Sequence, residues 1–235
     1  MKKDVIIACD FKNRQDTLDF LSRFEGKKPY VKIGMELFYG EGPDIVREIR
    51  ARGHEVFLDL KLHDIPNTVK KAMINLARLG VSMTNVHAAG TGDMMRAAVE
   101  GLAEGSAGER PLLIAVTQLT STSQERMQRE LLISESMENT VAHYARNARE
   151  AGLDGVVCSP LEAALVKRAC GEAFLTVTPG IRYPEGDKGD QSRVTTPQKA
   201  REIGSDFIVV GRPITAAADP AAAYARICND FLGGK

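Results

Sequence analysis

The sequence lacks an excess of charge of either sign, and it lacks long apolar runs. Its 235 residues carry 31 lysines and arginines against 31 aspartates and glutamates, so the formal net charge is zero. Chains that bind nucleic acid or acidic membranes usually carry a basic excess, and we therefore expect neither partner. No uninterrupted apolar stretch reaches the length of about 18 residues that is typical of a membrane-spanning helix.

Cysteine is scarce, and the four cysteines are scattered. Cys9, Cys158, Cys170 and Cys228 form no Cys-x-x-Cys pair and have no histidine at metal-ligand spacing. This pattern is typical of reduced interior thiols rather than of a disulfide scaffold or a zinc site. The apolar part of the N-terminal segment, residues 5–8, is too short for a signal peptide. We therefore expect a cytoplasmic protein.

The sequence also lacks linkers and low-complexity tracts, so residues 1–235 are expected to form one domain. Short apolar segments alternate with amphipathic ones. Strands are predicted at residues 5–9, 30–33, 55–62, 83–87, 112–117, 155–158, 174–178 and 207–210. Helices are predicted at residues 16–24, 43–52, 67–79, 93–102, 138–151, 160–170, 197–203 and 220–232, the last with Asp219 as its N-cap.

Glycines mark the ends of four of these helices. Gly53, Gly80, Gly152 and Gly204 each stand just before a predicted strand, where glycine closes a helix in the left-handed conformation. Eight mostly apolar strands in a chain of this length predict an α/β fold, a (β/α)8 TIM barrel with a parallel sheet. An open doubly wound sheet is the alternative, but the dinucleotide-binding pattern G-x-G-x-x-G does not follow the first strand.

Charged residues occupy the ends of the first three predicted strands. Alternation along a strand places Phe57, Asp59 and Lys61 on one face, opposite the leucines between them. Asp10 ends the first strand, Lys32 lies between two apolar residues of the second, and Asp64 follows the third. A structural ion pair is the simpler interpretation. The alternative is a preorganised active site, because barrels place their chemistry at the carboxyl ends of the strands.

A second signal comes from the last two strands. Gly211 and Arg212 follow strand eight, and the segment from Pro179 through Arg193 is long, polar and rich in glycine, as is typical of a lid. Barrels commonly bind phosphate with the loops after strands seven and eight. A solvated loop with a surface arginine is the alternative. Together the two signals predict a phosphorylated small-molecule ligand whose reacting part lies over the lysine and aspartate array.

Several segments together resemble orotidine 5'-monophosphate decarboxylase, over nearly the whole chain. They are Asp59-x-Lys61-x-x-Asp64, Lys32, the run Thr178-Pro179-Gly180-Ile181-Arg182, and Gly211-Arg212. The first pattern is shared with related sugar-phosphate barrels that use a divalent metal. In those relatives the strand-two position resembles a metal-binding acid, whereas here it is Lys32, which would repel a cation.

The resemblance implies roles for individual residues. Lys32, Asp59, Lys61 and Asp64 would form a charged tetrad with Lys61 as the proton donor, and no cofactor or metal would be needed. Asp10 and Lys32 would bind the ribose hydroxyls of orotidine 5'-monophosphate, and Thr120 would contact the pyrimidine. The phosphate and lid contacts would come from Pro179, Arg182, Gln191, Gly211 and Arg212. In a homodimer with active sites shared across the interface, Asp64, Ile65 and Thr68 would complete the partner's site.

Three other functions are compatible with parts of the sequence. A metal-dependent sugar-phosphate lyase or decarboxylase would share the barrel, although Lys32 argues against it. A non-catalytic sensor of a phosphorylated ligand would require the alternating charges to be incidental. An aldolase that forms a Schiff base with Lys61 is the third alternative.

Overall fold

Strands and helices alternate along the chain, as the sequence pattern predicts. The computed structural model describes residues 3–24, 26–184 and 194–234. Its strands are β1 (Asp4–Ala8), β2 (Tyr30–Ile33), β3 (Val56–Leu62), β4 (Met83–His87), β5 (Leu112–Val116), β6 (Gly155–Val157), β7 (Leu175–Thr178) and β8 (Phe207–Val210). All eight predicted strands are therefore confirmed, with ends that differ by one residue at most.

Helices follow the strands on the outside. They are α1 (Arg14–Ser22), α2 (Met35–Glu41), α3 (Asp44–Ala51), α4 (Pro66–Arg78), α5 (Thr91–Gly105), α6 (Gln124–Glu130), α7 (Met137–Glu150), α8 (Ala163–Cys170), α9 (Pro197–Ile203), α10 (Arg212–Thr215) and α11 (Pro220–Leu232). The sequence did not predict α2, α6 and α10. Residues 160–162, predicted as the start of a helix that includes α8, form a separate 3-10 turn.

The sheet is a closed parallel barrel in which each strand pairs with the next along the chain. The circle closes between β1 and β8, with Asp4 opposite Phe207 and Ile7 opposite Val210. This order excludes the open doubly wound sheet and confirms the (β/α)8 TIM barrel. Because the strands are parallel, all their carboxyl ends lie at one end of the barrel.

Two apolar clusters follow from the alternation of side chains along each strand. One fills the barrel interior and includes Phe57 and Met83. The larger one lies between the strands and the helices and includes Val31 and Ile33 of β2. Lys32, between these two residues, therefore points into the barrel as predicted.

Predicted helix ends are also confirmed. The Asp219 side chain accepts a hydrogen bond from the backbone N–H of Ala222 at the start of α11. Gly53, Gly80, Gly152 and Gly204 all have positive φ, between 72° and 104°. A residue with a Cβ is strained in this conformation, so glycine lets the chain leave each helix and enter the next strand.

A buried ion pair lies at the amino-terminal end of the barrel. The Lys167 Nζ atom of α8 lies 2.6 Å from Asp206 Oδ2, just before β8, and donates to the carbonyls of Glu172 and Phe174. The same carboxylate oxygen accepts hydrogen bonds from the backbone N–H and the hydroxyl of Thr176. Because the side chains of Lys167 and Asp206 are only 6% and 3% exposed, these contacts replace water. The pair therefore ties α8, β7 and β8 together.

Two further predictions concern the cysteines and the membrane-spanning segments. Cys9, Cys158, Cys170 and Cys228 are all free thiols. In the described ranges, no helix has the length and apolar character needed to cross a membrane.

Candidate active site

A cavity of about 780 Å³ opens at the carboxyl ends of the strands. This volume lies in the range of small-molecule sites, roughly 300–1,000 Å³. Asp10, Lys32, Asp59 and Lys61 are among the residues that line it. The structure therefore brings together four of the five charged residues that the sequence places at the ends of the first three strands, all except Asp64.

The four charged side chains form a continuous chain of contacts, the charged array. Lys32 Nζ lies 2.9 Å from Asp10 Oδ1 and 3.5 Å from Asp59 Oδ2. Lys61 Nζ donates to Asp59 Oδ1 at 2.7 Å. The Lys32 and Asp59 side chains are each only 11% exposed, so their charges are largely removed from water. Such buried charges are tolerated when each is paired and hydrogen-bonded.

The electrostatics of the array keep its buried members ionised. Burial alone would raise the pKa of Asp59, but the charges of Lys32 and Lys61 and the hydrogen bonds from Lys61 and Asn85 hold that pKa below its ordinary value. Burial alone would lower the pKa of Lys32, but Asp59 and Asp10 raise it above its ordinary value. The site therefore presents fixed charges before any ligand arrives.

Gly34 makes room for part of the array. A Cβ built on this residue would lie 3.1 Å from Asp10 Oδ1 and 3.2 Å from Lys32 Nζ. These distances are shorter than ordinary van der Waals contacts, so a side chain there would disturb the pair. Gly34 was not predicted from the sequence, because its importance depends on where the side chains of Asp10 and Lys32 lie in the fold.

The carboxyl end of β3 departs from regular strand geometry. Leu58 pairs with Thr84 and Leu62 with Val86, so four residue steps on β3 lie against two on β4. Lys61 lies in this bulge and has φ 52°, in the left-handed region. Leu58 and Leu60 pack in the outer core while Phe57 packs inside the barrel, as alternation predicts. The bulge therefore changes the backbone at Lys61 without changing which face it occupies.

Asn85 of β4 holds this bulge, and the sequence did not identify it. Its side-chain oxygen accepts the backbone N–H of Lys61 at 2.8 Å, and its amide nitrogen donates to Asp59 Oδ1 at 2.7 Å. Asn85 is fully buried. The available signal was a polar pair, Thr84 and Asn85, inside an otherwise mostly apolar strand.

The predicted phosphate contacts within the described residues also line the cavity: Pro179, Arg182, Gly211 and Arg212. Thr120, predicted to contact the pyrimidine, lines it too. A Cβ built on Gly211 would lie 3.7 Å from the Ala8 Cβ, an ordinary contact, so this neighbour does not itself require glycine. Two arginines thus lie in the same cavity as the charged array.

Arg182 is held by a short bridge across the segment after β7. Its backbone N–H donates to the Thr195 carbonyl at 2.9 Å, and the Thr195 N–H donates to the Gly180 carbonyl at 3.0 Å. Gln191, predicted as a lid contact, lies outside the described residues.

Three predicted residues do not join this cavity. Asp64, Ile65 and Thr68 are exposed and are not among the described residues that line it. Asp64 Oδ1 accepts the backbone N–H of Ile65 at 2.6 Å, and Ile65 is 67% exposed. They lie just beyond β3, at the start of α4.

Within residues 3–24, 26–184 and 194–234, no group of three or more His, Cys, Asp or Glu side chains is placed to hold a metal ion. In the cavity, the carboxylates of Asp10 and Asp59 instead contact lysine ammonium groups.

Fold and site together define the class of protein: a (β/α)8 barrel of the enzyme type, with preorganised charges and two arginines at the carboxyl ends of its strands. The sequence profile of the Orotidine 5'-phosphate decarboxylase / HUMPS family matches residues 3–227. The chain belongs to this family.

Individual relatives cover almost the whole chain. The chain is 55% identical over 235 residues to the orotidine 5'-phosphate decarboxylase of Bacillus cereus strain Q1, covering 99% of both sequences. It is 54% identical to the enzyme of that name from Bacillus cytotoxicus, again over 99% of both.

Two solved structures are similar to this chain in both fold and sequence. An orotidine 5'-phosphate decarboxylase from Lactobacillus acidophilus aligns with a TM-score of 0.88 at 43% identity, covering 98% of this chain and 99% of that one. An uncharacterized conserved protein from Geobacillus kaustophilus aligns with a TM-score of 0.87 at 52% identity, covering 97% and 99%.

Proposed function

We propose that this chain catalyses the decarboxylation of orotidine 5'-monophosphate to uridine 5'-monophosphate, in de novo pyrimidine biosynthesis, without a cofactor. The observation that carries the proposal is that Lys32, Asp59 and Lys61 contact one another in a cavity that Arg182 and Arg212 also line. Membership of the Orotidine 5'-phosphate decarboxylase / HUMPS family supports it, and so do relatives named orotidine 5'-phosphate decarboxylase. The whole chain, residues 1–235, would act as one cytoplasmic catalytic domain.

Lys61 is the proposed proton donor. Decarboxylation breaks the bond between C6 and the carboxylate carbon, and the electron pair stays on C6 in the ring plane while carbon dioxide leaves. No carbonyl is positioned to delocalise this pair, so a fixed cation beside C6 is the stabilisation required. The Lys61 ammonium group then transfers a proton to C6.

Asp59 is proposed to position Lys61 and to face the departing carboxylate. Its contact with Lys61 Nζ, 2.7 Å long, restricts the lysine to one orientation. Its negative charge, maintained by the low pKa described above, would also repel a neighbouring substrate carboxylate. Both effects come from the same ionised group.

The rest of the cavity is proposed to bind the nucleotide. Asp10 and Lys32 would hydrogen-bond the ribose hydroxyls, and Thr120 would contact the pyrimidine ring. The phosphate would be bound by Arg212 and Arg182, with Pro179 and Gly211 beside it and Gln191 from the lid. Arginine suits this role because its guanidinium group matches phosphate oxygens bidentately. Binding energy from the distant phosphate can then support orientation at C6.

A homodimer is proposed to complete each site. Asp64, Ile65 and Thr68 are exposed and lie outside the cavity of their own chain, with Ile65 presenting a large apolar side chain to solvent. These features suit residues that reach into the cavity of a second copy, where Asp64 would become the fourth member of the charged tetrad.

The activity is tested by following the loss of orotidine 5'-monophosphate absorbance with and without a chelator. We expect turnover that the chelator does not change and that Lys61→Ala abolishes. Loss of activity with chelator would favour the metal-dependent alternative. Trapping of the chain with borohydride in the presence of substrate would favour a Schiff-base aldolase, and absence of turnover in the wild-type chain would contradict the proposal.

The shared site is tested separately by mixing two inactive variants. A Lys61→Ala chain mixed with an Asp64→Ala chain forms hybrid dimers in which one site has both wild-type groups. We expect activity to return on mixing while each variant alone stays inactive. If the mixture remains inactive after subunit exchange has been confirmed, the shared site is wrong.

A further inference from the structure

We infer that Asn85 is a positioning residue for the decarboxylation proposed above: it fixes the bulge of β3 that presents Asp59 and Lys61 to the cavity. The inference rests on that proposed function. Asn85 lies between the two register points that define the bulge, where β4 passes from Thr84 to Val86. Its side chain reaches across to both members of the ion pair.

The first of its two contacts holds the backbone. A bulge removes residues from the regular ladder and leaves peptide groups without strand partners. The Lys61 N–H is such a group, and the Asn85 side-chain oxygen accepts it at 2.8 Å. The left-handed conformation of Lys61 is strained for a residue with a Cβ, so it requires support from its surroundings. Asn85 supplies that support.

The second contact orients the carboxylate. Asp59 Oδ1 accepts hydrogen bonds from Asn85 and from Lys61 Nζ, both at 2.7 Å, while Oδ2 faces Lys32. The two donors to Oδ1 come from different strands. They therefore fix the plane of the Asp59 carboxylate and the position of the Oδ1 atom that accepts from Lys61 Nζ.

Burial separates this role from substrate binding. Asn85 has no exposed surface and is not among the described residues that line the cavity. Its loss should therefore reduce the chemical step while leaving nucleotide binding nearly intact. A residue that only packed in the barrel would change stability but neither the rate nor its pH dependence.

The test compares Asn85→Leu and Asn85→Asp with Thr84→Val. Thr84 is the matched control, because it is an adjacent, fully buried polar residue of β4 whose hydroxyl donates to the Leu58 carbonyl rather than to the array. The measurements are kcat and KM for orotidine 5'-monophosphate, Kd for uridine 5'-monophosphate, and thermal unfolding.

For Asn85→Leu we expect kcat to fall roughly 10- to 100-fold, the effect of losing a hydrogen bond to a charged group. KM and the Kd for uridine 5'-monophosphate should change by less than about threefold, since the contacts that bind the nucleotide equally in the ground state and the transition state are kept. Thr84→Val should keep the wild-type kcat even where its thermal stability falls.

Asn85→Asp provides a second, independent readout. Its new carboxyl group would lie against Asp59, which Lys32 faces from β2, Lys61 from β3 and His87 from the end of β4. Because two adjacent carboxyl groups cannot both ionise easily, the new group takes up a proton as the pH falls. A protonated carboxyl has one donor and one acceptor, like the amide it replaces. The activity of Asn85→Asp relative to wild type should therefore rise as the pH falls from about 8 to about 5.

The outcomes are separable. If the wild-type chain does not turn over orotidine 5'-monophosphate, the proposed function fails. If the wild type is active and folded Asn85→Leu matches its kcat, the inference about Asn85 is overturned. Should Asn85→Leu fail to fold, the relative activity of Asn85→Asp decides: a rise at lower pH supports the inference, and a constant ratio overturns it.

Discussion

Replacing Lys32 with methionine removes one of the two cations beside Asp59 while keeping most of the side-chain volume. Lys32 Nζ lies 3.5 Å from Asp59 Oδ2. With an effective dielectric constant of about 20, this separation corresponds to an attraction of about 5 kcal/mol. Part of it is offset because the variant no longer has to bury the ammonium group. The retained contact with Lys61 keeps Asp59 partly stabilised.

This attraction sets the expected change in pKa. Loss of this attraction should raise the pKa of Asp59 above its value in the wild type. Asp59 is then protonated at higher pH than in the wild type, and the acid limb of kcat/KM should move upward in pH. At neutral pH we expect kcat/KM to fall at least about 100-fold, or about 2.7 kcal/mol, since the proposed ribose contact of Lys32 is lost too.

Stability should follow the same linkage. Because the folded pKa of Asp59 is below its ordinary value, its ionisation contributes stability that is present above the ordinary carboxyl pKa and is lost as the pH falls through the folded pKa. Lys32→Met reduces this contribution. The stability difference from wild type should therefore be largest near neutral pH and should shrink in acid.

The assay is a pH profile of kcat/KM together with urea unfolding at several pH values. Lys199→Met is the matched control, because Lys199 contacts Glu202 at 3.0 Å with both side chains more than half exposed. Exposed pairs contribute little, so this variant should keep the wild-type profile. A folded Lys32→Met variant with a wild-type acid limb would refute the electrostatic reasoning.

Three further outcomes are expected. Arg212→Ala should lower kcat as well as raise KM, because Arg212 is proposed to bind the phosphate and so to support orientation at C6. Arg47→Ala breaks an exposed pair and should change neither, and unchanged kcat/KM in Arg212→Ala would contradict this role. Lys167→Met should lower the free energy of unfolding by about 3–5 kcal/mol, since Asp206 would remain buried without its cation. Urea titration measures this change, and a loss below about 1 kcal/mol would contradict the role of the ion pair. Gly34→Ala should lower kcat/KM with little loss of stability, measured by steady-state kinetics and thermal unfolding, because its Cβ would crowd the Asp10–Lys32 pair; wild-type kinetics would contradict this.

The barrel could be predicted because its strands are short and apolar on both faces. β2, β4 and β8 begin and end where the sequence predicts. The missed helices have a common physical reason: α2, α6 and α10 bury one residue each, Leu37, Met127 and Ile214. A helix that buries a single side chain leaves no periodic pattern to detect.

The site was predictable only where a residue is unusual for its strand position. Asp59 and Lys61 are charged residues on an inward face, and this made them visible. Asn85 and Gly34 were missed because their roles depend on register and on the placement of distant side chains. The proton donor, the phosphate contacts and the shared dimer site stay predictions until the experiments above are done.

The bridge between Ile181 and Thr195 joins the two ends of the segment that follows β7. Its hydrogen bonds join the backbone of Gly180 and Arg182 to that of Thr195. Lengthening a closed loop costs little free energy, about 0.6 kcal/mol for each doubling. Insertions or exchanges between residues 184 and 194 therefore need not displace the backbone of Arg182. The length of this segment and the position of Arg182 can evolve separately.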